Sequence, residues 1–549
     1  MSLPGLELTQ PSEERQHVIA PPSQITLNSG SEWRFEVAFG HTIRVKLLTG
    51  TAELFGTELA ESQTYTFTGT KAAIFTWHGC ELEISAGEPS STTTVDGSTS
   101  AAGHGAGGCQ SEYTSDDTPM MEYANMHFAL EAIREEAASE GKDGPRVLLL
   151  GPDNAGKTSL AKILTSYATK LGGQPLVVNL DPTEGMLNVP GTLSATVFRT
   201  MLDVENGWGS SPMSGPSPVP VKLPLVYSYP LPSPLEGEGS VYRPIVSRLA
   251  LQVTERMAKD EDVRKTGIIV DAPGDLSSGK PGSLEMINHI VTEFAITNIV
   301  VLGSERLYSN MVKSYDNKPS SSAAAVVFDE RVSVVKLSKS GGCVDRDALF
   351  LKKTRESQIR SYFFGNTLPT TTLPTSTSAI TLSPSTLQVD FASLTVYNYT
   401  VVSTEDEDED DYDPSQLNTG DSFLPGGNDN YSDVKQETDR AAPLPGIVGL
   451  SSDHTTNANS YSSSNVPLKR VLPPAPSALE NTLIAITHAS TSASPADVRD
   501  ASIKGFLYVA NVDADKGKIM LLSPIRGTIP AQAMIWARRW PDEVVGLVG

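Results

Sequence analysis

Between Gly151 and Leu160 the chain reads GPDNAGKTSL, and Gly151, Gly156, Lys157 and Thr158 fit the spacing G-x-x-x-x-G-K-[ST]. Glycines at these positions let backbone N–H groups crowd around a phosphate. The lysine then reaches the β/γ oxygens and the threonine hydroxyl suits Mg²⁺. The candidate phosphate-holding residues are Asn154, Ala155, Gly156, Lys157, Thr158 and Ser159. A surface turn before a helix can hold the same glycines. The flanks favour the phosphate reading, because the apolar run Val147–Leu150 precedes the motif and a helical pattern over Thr158–Leu171 follows it. Further on, GIIVD ends in Asp271, as a Walker B strand does, and that carboxylate is the candidate Mg²⁺ partner of Thr158. A strand ending in Asp is common by itself, and only its place downstream of the phosphate loop singles out Asp271. A second strand, Pro175–Leu180, runs into Asp181.

Positioning these groups requires an alternation of strands and helices. Helices are expected at Met120–Glu140, Tyr242–Lys259, Ser283–Phe294 and Asp347–Phe364. Strands are expected at Gly191–Phe198, Asn298–Leu302 and Arg331–Leu337. This pattern gives an α/β P-loop domain with a parallel sheet, placed at 111–365. Pro212–Glu238, rich in Pro, Ser and Gly, reads as a long surface loop. Before the domain, Gln24–Ser85 alternates apolar and polar residues in short runs bounded by Gly, Asn and Ser. That is an N-terminal β-sandwich of about six to eight strands, placed with its linker at 1–110. Met1–Ser23 reads as loose chain and Ala86–Thr118 as linker. After the domain, 366–549 reads as a small β-rich (α+β) module. Asn366–Pro384 is its Thr/Ser/Pro linker, strands cluster at Leu387–Val401 and beyond Thr482, and a disordered insertion covers about 404–476.

Composition narrows the function. At 549 residues the chain has room for about two to four domains. A net charge of −23 excludes bulk electrostatic tracking of nucleic acid, although it leaves room for a local basic lid. Part of the excess is the acidic block Glu405–Asp411, read as a solvated insert. Cys80, Cys109 and Cys343 have neither zinc spacing nor a disulfide framework, which suits a reducing compartment. The first residues lack a signal-peptide pattern and no apolar run reaches membrane length, so a soluble intracellular protein without membrane contact is expected. No N-K-x-D string supports a GTPase, and the eight histidines form no Ser-His-Asp or metal-hydrolase constellation.

The strings SEWRFE, LLTGTAELFGTEL, FTWHGCELE, GPRVLLLGPDNAGKTSL, LDPTEGMLNVPGT, ERLYSNM, KLSKSGG and IRSYFFG resemble the P-loop subunit of the eukaryotic pre-mRNA cleavage and polyadenylation machinery, within cleavage factor IA. That family is related to polynucleotide 5′-hydroxyl kinases. The resemblance implies a β-sandwich, a kinase-like P-loop domain and a small C-terminal domain, with ATP and Mg²⁺ between the first two. By residue matching it implies that Glu32 and Lys71 approach the adenine end, although on the residues alone they read as ordinary surface charges on strands. It also implies a scaffold partner that binds the RNA polymerase II C-terminal domain, other 3′-end processing subunits, indirect or weak contact with RNA, and a place in the nucleus.

In the related kinases Asp181 matches the catalytic base, within an approximate D-x-G-Q where this chain has Asp181, Pro182, Thr183 and Glu184. Where those kinases carry C-G-W, with a tryptophan that stacks on the terminal base, this chain has Pro273, Gly274 and Asp275. The lid segment offers Arg355 and Arg360, with Gln358 where another Arg is expected, and no arginine finger is evident. These departures lie on the RNA-facing side. The expectation is therefore an ATP-binding assembly subunit needed for endonucleolytic cleavage, with ATP held as a largely structural ligand and hydrolysed slowly. The alternative is a polynucleotide 5′-hydroxyl kinase, in which Asp181 would be catalytic. The partner is expected to dock on the outer face around Asn298–Asn310.

Overall fold

In the computed structural model of the chain, the described residues are 22–87, 108–209, 222–321, 331–365, 382–399 and 468–548. Most of the segments read as loose, linker or insertion lie outside them, as does the acidic block.

The alternating strands of the N-terminal region build two facing antiparallel sheets. One runs in the order Ser23–Leu27, Cys80–Ala86, Ile43–Gly50, Thr64–Phe67. The other runs Thr57–Glu58, Glu53–Leu54, Lys71–Phe75, Glu32–Glu36, Ser111–Ser115. Ile43, Val45 and Leu47 point inward on alternate positions and meet Trp33, Phe35 and Phe67 in one core, as period-two patterning requires. The last strand, Ser111–Ser115, pairs with Glu32–Glu36 and lies inside the stretch expected to be linker. The sandwich therefore reaches residue 115.

The central sheet has seven strands, in the order Leu225–Ser228, Thr192–Val197, Leu176–Asn179, Ile268–Asp271, Arg146–Leu150, Asn298–Leu302, Ser333–Leu337. Its inner strands are buried on every residue, because helices cover both faces, and their sequences are correspondingly apolar apart from one terminal polar residue each. From Leu176–Asn179 to Ser333–Leu337 all pairings are parallel. At the other edge Thr192–Val197 and Leu225–Ser228 run antiparallel. The parallel sheet is as expected, with a mixed edge added to it, because a short return after Asp181 brings the chain back beside the strand it has just left. The second antiparallel strand falls inside Pro212–Glu238, the stretch read as surface loop. The helices Met120–Glu140 and Tyr242–Lys259 form where expected. The buried strand Asn298–Leu302 cannot be a docking face, while Glu305–Tyr315 is a helix with only Leu307 and Met311 buried.

The C-terminal module is a second seven-stranded sheet, from Ser385–Asp390 at one edge to Leu468–Arg470 at the other. Leu468–Arg470 pairs with Val396–Tyr399, so the stretch assigned to a disordered insertion is ordered from residue 468 onward.

One contact between the sandwich and the P-loop domain is a hairpin turn. Phe55 and Gly56 both have positive φ, 47° and 82°, as a tight two-residue turn demands. A Cβ on Gly56 would stand 3.0 Å from Ser166 Cβ and 3.1 Å from the Ile163 carbonyl oxygen, so the turn lies directly on the helix Lys157–Lys170. On that face Tyr167 Oη donates to Glu53 Oε1 at 2.5 Å, and Thr57 Oγ1 lies 3.2 Å from Ser166 Oγ. Burial pushes the Glu53 carboxyl above its usual range and the Tyr167 hydrogen bond pulls it back. Removing that hydroxyl strands a buried carboxylate. Tyr167→Phe is expected to lower the unfolding free energy by about 1–3 kcal/mol, and Glu53→Gln in the same chain to recover part of it. An unchanged denaturation midpoint in Tyr167→Phe would show that this contact does not hold the two domains together.

Candidate functional site

The functional candidates of the P-loop domain sit at the carboxyl ends of the parallel strands, where an open α/β sheet leaves a crevice. The strand Arg146–Leu150 delivers the phosphate loop, Leu176–Asn179 delivers Asp181, and Ile268–Asp271 ends on Asp271. One cavity of about 450 Å³ is lined by Glu32, Lys71, Asn154, Ala155, Gly156, Lys157, Thr158, Ser159, Asp181 and Asp271. Every residue proposed from the sequence to hold ATP or Mg²⁺ thus faces the same space, part of it from the sandwich and part from the P-loop domain.

The loop is shaped by its backbone. Asn154 has φ 56° and Gly156 φ 89°. A Cβ at Gly156 would stand 2.8 Å from Cys343 Sγ, so the SKSGG loop packs directly on the phosphate loop. The helix that follows begins at Gly156 with no side-chain cap and no acidic residue in its first turn. Its free N–H groups and positive dipole end therefore remain for an anion. Lys157 Nζ donates to the Pro152 carbonyl at 2.9 Å.

Thr158 Oγ1 donates to Asp271 Oδ2 at 2.6 Å, while Asp271 Oδ1 is buried with no hydrogen-bond partner among the described residues. Burial raises the Asp271 carboxyl to about 6 against the pull of Lys157 and Thr158, and Asp181 and Glu184 add to the rise. A hydroxyl and an under-coordinated carboxylate side by side are a donor set that fits a hard divalent cation such as Mg²⁺. Asp181 is also held above its usual range by burial, while Oδ1 accepts from Thr183 N at 2.9 Å and Thr183 Oγ1 at 2.6 Å.

At the sandwich end Glu32 accepts from Arg34 Nε at 2.5 Å and from Thr118 Oγ1 at 3.2 Å. Lys71 pairs with Glu36 at 2.9 Å and lies 5.0 Å from the centre of the Phe350 ring. Both are buried or half-buried and tied to neighbours, unlike free charges on a strand.

The lid differs from the sequence expectation. Arg355 and Arg360 do not line the cavity, whereas Gln358 does. Arg355 Nη2 pairs with Asp542 at 2.6 Å, and its guanidinium lies 4.8 Å from the centre of the Trp540 ring. Trp540 Nε1 in turn donates to the Pro182 carbonyl at 3.1 Å. The C-terminal segment thereby ties the lid helix Ala348–Phe364 to the loop that carries Asp181. Asp275, expected near an RNA end, does not line the cavity and pairs with Lys280 at 2.9 Å. Two cations that do line it were missed. Arg346 forms an ion pair with Glu184 and donates from Nε to Asn154 Oδ1 at 3.0 Å. Lys162 lies 5.5 Å and 5.7 Å from the ring centres of Phe55 and Trp208. The available signals were the position of Arg346 four residues past SKSGG and that of Lys162 one helical turn past Thr158.

Three family descriptions match the chain. They are the N-terminal β-sandwich domain of polyadenylation factor over residues 26–137, the mRNA cleavage and polyadenylation factor CLP1 P-loop over 151–365, and the pre-mRNA cleavage complex II protein Clp1 over 382–542. Among curated relatives, the mRNA cleavage and polyadenylation factor clp1 of Neosartorya fischeri is 67% identical over 566 residues and that of Aspergillus oryzae 68% over 563, each covering 100% of both chains. A solved structure of a wild-type Clp1p–Pcf11p complex matches with TM-score 0.69 and 25% identity over 94% of this chain and 98% of that one. A second, described as an extended Pcf11p–Clp1p interface with the structural basis for ATP loss in a point mutant, matches with TM-score 0.69 and 26% identity over the same shares.

Two outcomes follow from this geometry. The folded chain holds a proton on Asp271 between its ordinary 3.8 and about 6, so metal-free stability falls as pH rises through that window. In nucleotide-free protein with a chelator at neutral pH, Asp271→Asn should stabilise by up to about 3 kcal/mol and flatten that pH slope. A destabilised Asp271→Asn chain would contradict a strained buried charge. Arg355→Ala should speed amide exchange along residues 348–364 and leave the central strands unchanged. Unchanged protection of the lid helix would show that the Trp540 contact does not restrain it.

Proposed function

The chain belongs to the Clp1 family of mRNA cleavage and polyadenylation factors, and we propose that in this role it holds ATP with Mg²⁺ as a clamp between its β-sandwich and its P-loop domain. The observation that carries the reading is the Thr158–Asp271 pair, with its partnerless Oδ1, below the uncapped start of the helix Lys157–Lys170. Asn154–Ser159 would hold the phosphates, with Glu32 and Lys71 at the adenine end. Thr158 and Asp271 would hold Mg²⁺, which when bound neutralises charge on the β- and γ-oxygens.

A ligand that touches both domains stabilises their closed arrangement by RT ln(1 + [L]/Kd). The contacts on the far side of the phosphate loop favour retention over transfer. Asp181 is engaged by Thr183, Glu184 holds Arg346, and Trp540 is fixed on Pro182. Retained in this way, ATP would keep a folded surface ready for a scaffold partner of the Pcf11 kind, the partner in the related complex. That partner would link the chain to the RNA polymerase II C-terminal domain and to other 3′-end processing subunits in the nucleus. Contact with RNA would be indirect or weak.

Nucleotide analysis of the chain purified without added ATP tests this. Intact ATP at about one per chain is expected, lost in Lys157→Ala together with much of the partner's co-purification. With γ-labelled ATP and a 5′-hydroxyl RNA, no label should reach the RNA. An empty site, or label transfer abolished in Lys157→Ala and in Asp181→Ala, would overturn the clamp.

A further inference from the structure

Lys162 is a cation that the phosphate-loop motif does not account for. It stands four residues after Thr158 on the helix Lys157–Lys170, on the same face and one turn below. Helical side chains lean toward the N-terminus, so a long lysine there reaches back toward the Thr158–Asp271 pair. Its ammonium lines the same cavity as that pair and as Asp181. It forms no ion pair and no hydrogen bond among the described residues, and three donors remain for an acceptor within the cavity.

The surroundings hold that ammonium in place. Phe55 comes from the sandwich hairpin with φ 47°, a left-handed conformation that costs a bulky residue about 1–3 kcal/mol and persists only where the neighbours enforce it. Its ring centre is 5.5 Å from Lys162 Nζ. Trp208 approaches from the loop after Thr192–Val197, with its ring centre 5.7 Å away. In that loop Gly207, at φ 62°, lies against the ammonium: a Cβ there would stand 2.9 Å from Lys162 Nζ. Two aromatic faces from two domains therefore flank a cation whose hydrogen-bonding capacity is unused.

We propose that Lys162, held by Phe55 and Trp208, binds the terminal phosphate of a nucleoside triphosphate and makes the clamp selective for triphosphate over diphosphate. The inference rests on the nucleotide reading of the cavity and adds what the site selects. Lys157 serves the phosphates common to both nucleotides, whereas Lys162, a turn deeper beside Asp271, meets an oxyanion only when the third phosphate is present. Because Phe55 belongs to the sandwich, the third phosphate is sensed at the joint between the domains.

The test uses the full chain, stripped of nucleotide with a chelator and titrated with ATP or ADP in Mg²⁺. Wild type is expected to favour ATP. Lys162→Gln should weaken ATP about tenfold or more and ADP less than about twofold, as expected for loss of one charge-assisted contact. Lys162→Arg should keep most of the preference, and Phe55→Leu should lose part of it. The nucleotide-free melting temperature of each variant separates this effect from a packing effect. If Lys162→Gln does not fold, Phe55→Leu and Lys162→Arg decide. Equal weakening of ATP and ADP, an unchanged ratio, or a wild type indifferent to the third phosphate would overturn the inference. A wild type that binds neither nucleotide would overturn the underlying site reading and the inference with it.

Discussion

Asp271 is buried with one carboxylate oxygen bound to Thr158 and the other bound to nothing, and Asp181 and Glu184 add like charge nearby. Burying ions costs several kcal/mol each unless opposite charge and hydrogen bonds compensate. The cavity answers with Lys157, Lys162 and Arg346, each brought by a different route. Lys157 is dictated by the phosphate loop. Lys162 follows from helical periodicity one turn on. Arg346 arrives from the loop before the lid helix and reaches both Glu184 and Asn154. The balance remains incomplete at Asp271, and a bound cation with its polyanionic ligand is the simplest completion.

That constraint explains why the cavity belongs to neither domain alone. Phe55 and Gly56 bring the sandwich onto the helix that starts at Lys157, and the same turn puts the Phe55 ring beside Lys162. On the opposite side Arg34 lies against the SKSGG loop: its Nη1 would lie 3.1 Å from a Cβ on Gly341, and its Nε 2.9 Å from one on Gly342. The glycine of FGTEL is a place where the backbone of a second segment comes too near for a side chain. A ligand in the space between these contacts acts on both domains at once.

The parts legible in the sequence are those where local chemistry leaves few choices. The phosphate-loop motif and the place of Asp271 at the end of a strand are legible because motif spacing and strand pattern are local. The inner strands are legible because burial on both faces leaves apolar runs with polar residues only at their ends. The helices Met120–Glu140 and Tyr242–Lys259 show their period directly. Leu225–Ser228 is hidden because only four residues pair, in a neighbourhood of proline and serine, and its antiparallel sense depends on a return the pattern does not encode. Leu468–Arg470 is hidden for a similar reason: three residues, two of them basic, become a strand only beside Val396–Tyr399. Arg355 shows the limit for side chains. A basic helix near a phosphate loop suggests a lid that reaches inward, yet this arginine turns outward because Trp540 and Asp542, far along the chain, offer an aromatic face and a carboxylate.

Glu184 bears most directly on what the cavity can do. A neutral glutamine there would leave Arg346 able to turn toward developing charge on a transferring phosphoryl group, as an arginine finger does. A carboxylate instead binds the guanidinium, which Asn154 also engages from the phosphate loop. The arginine then links loop to loop and is less available to the γ-phosphate. Nearby, Trp540 Nε1 donates to the carbonyl of Pro182, the residue after Asp181. On the clamp reading, residues that would otherwise assist transfer from a bound triphosphate are engaged in protein contacts. The same contacts tie the lid helix to the Asp181 loop. Tighter retention and weaker transfer would then share one physical cause.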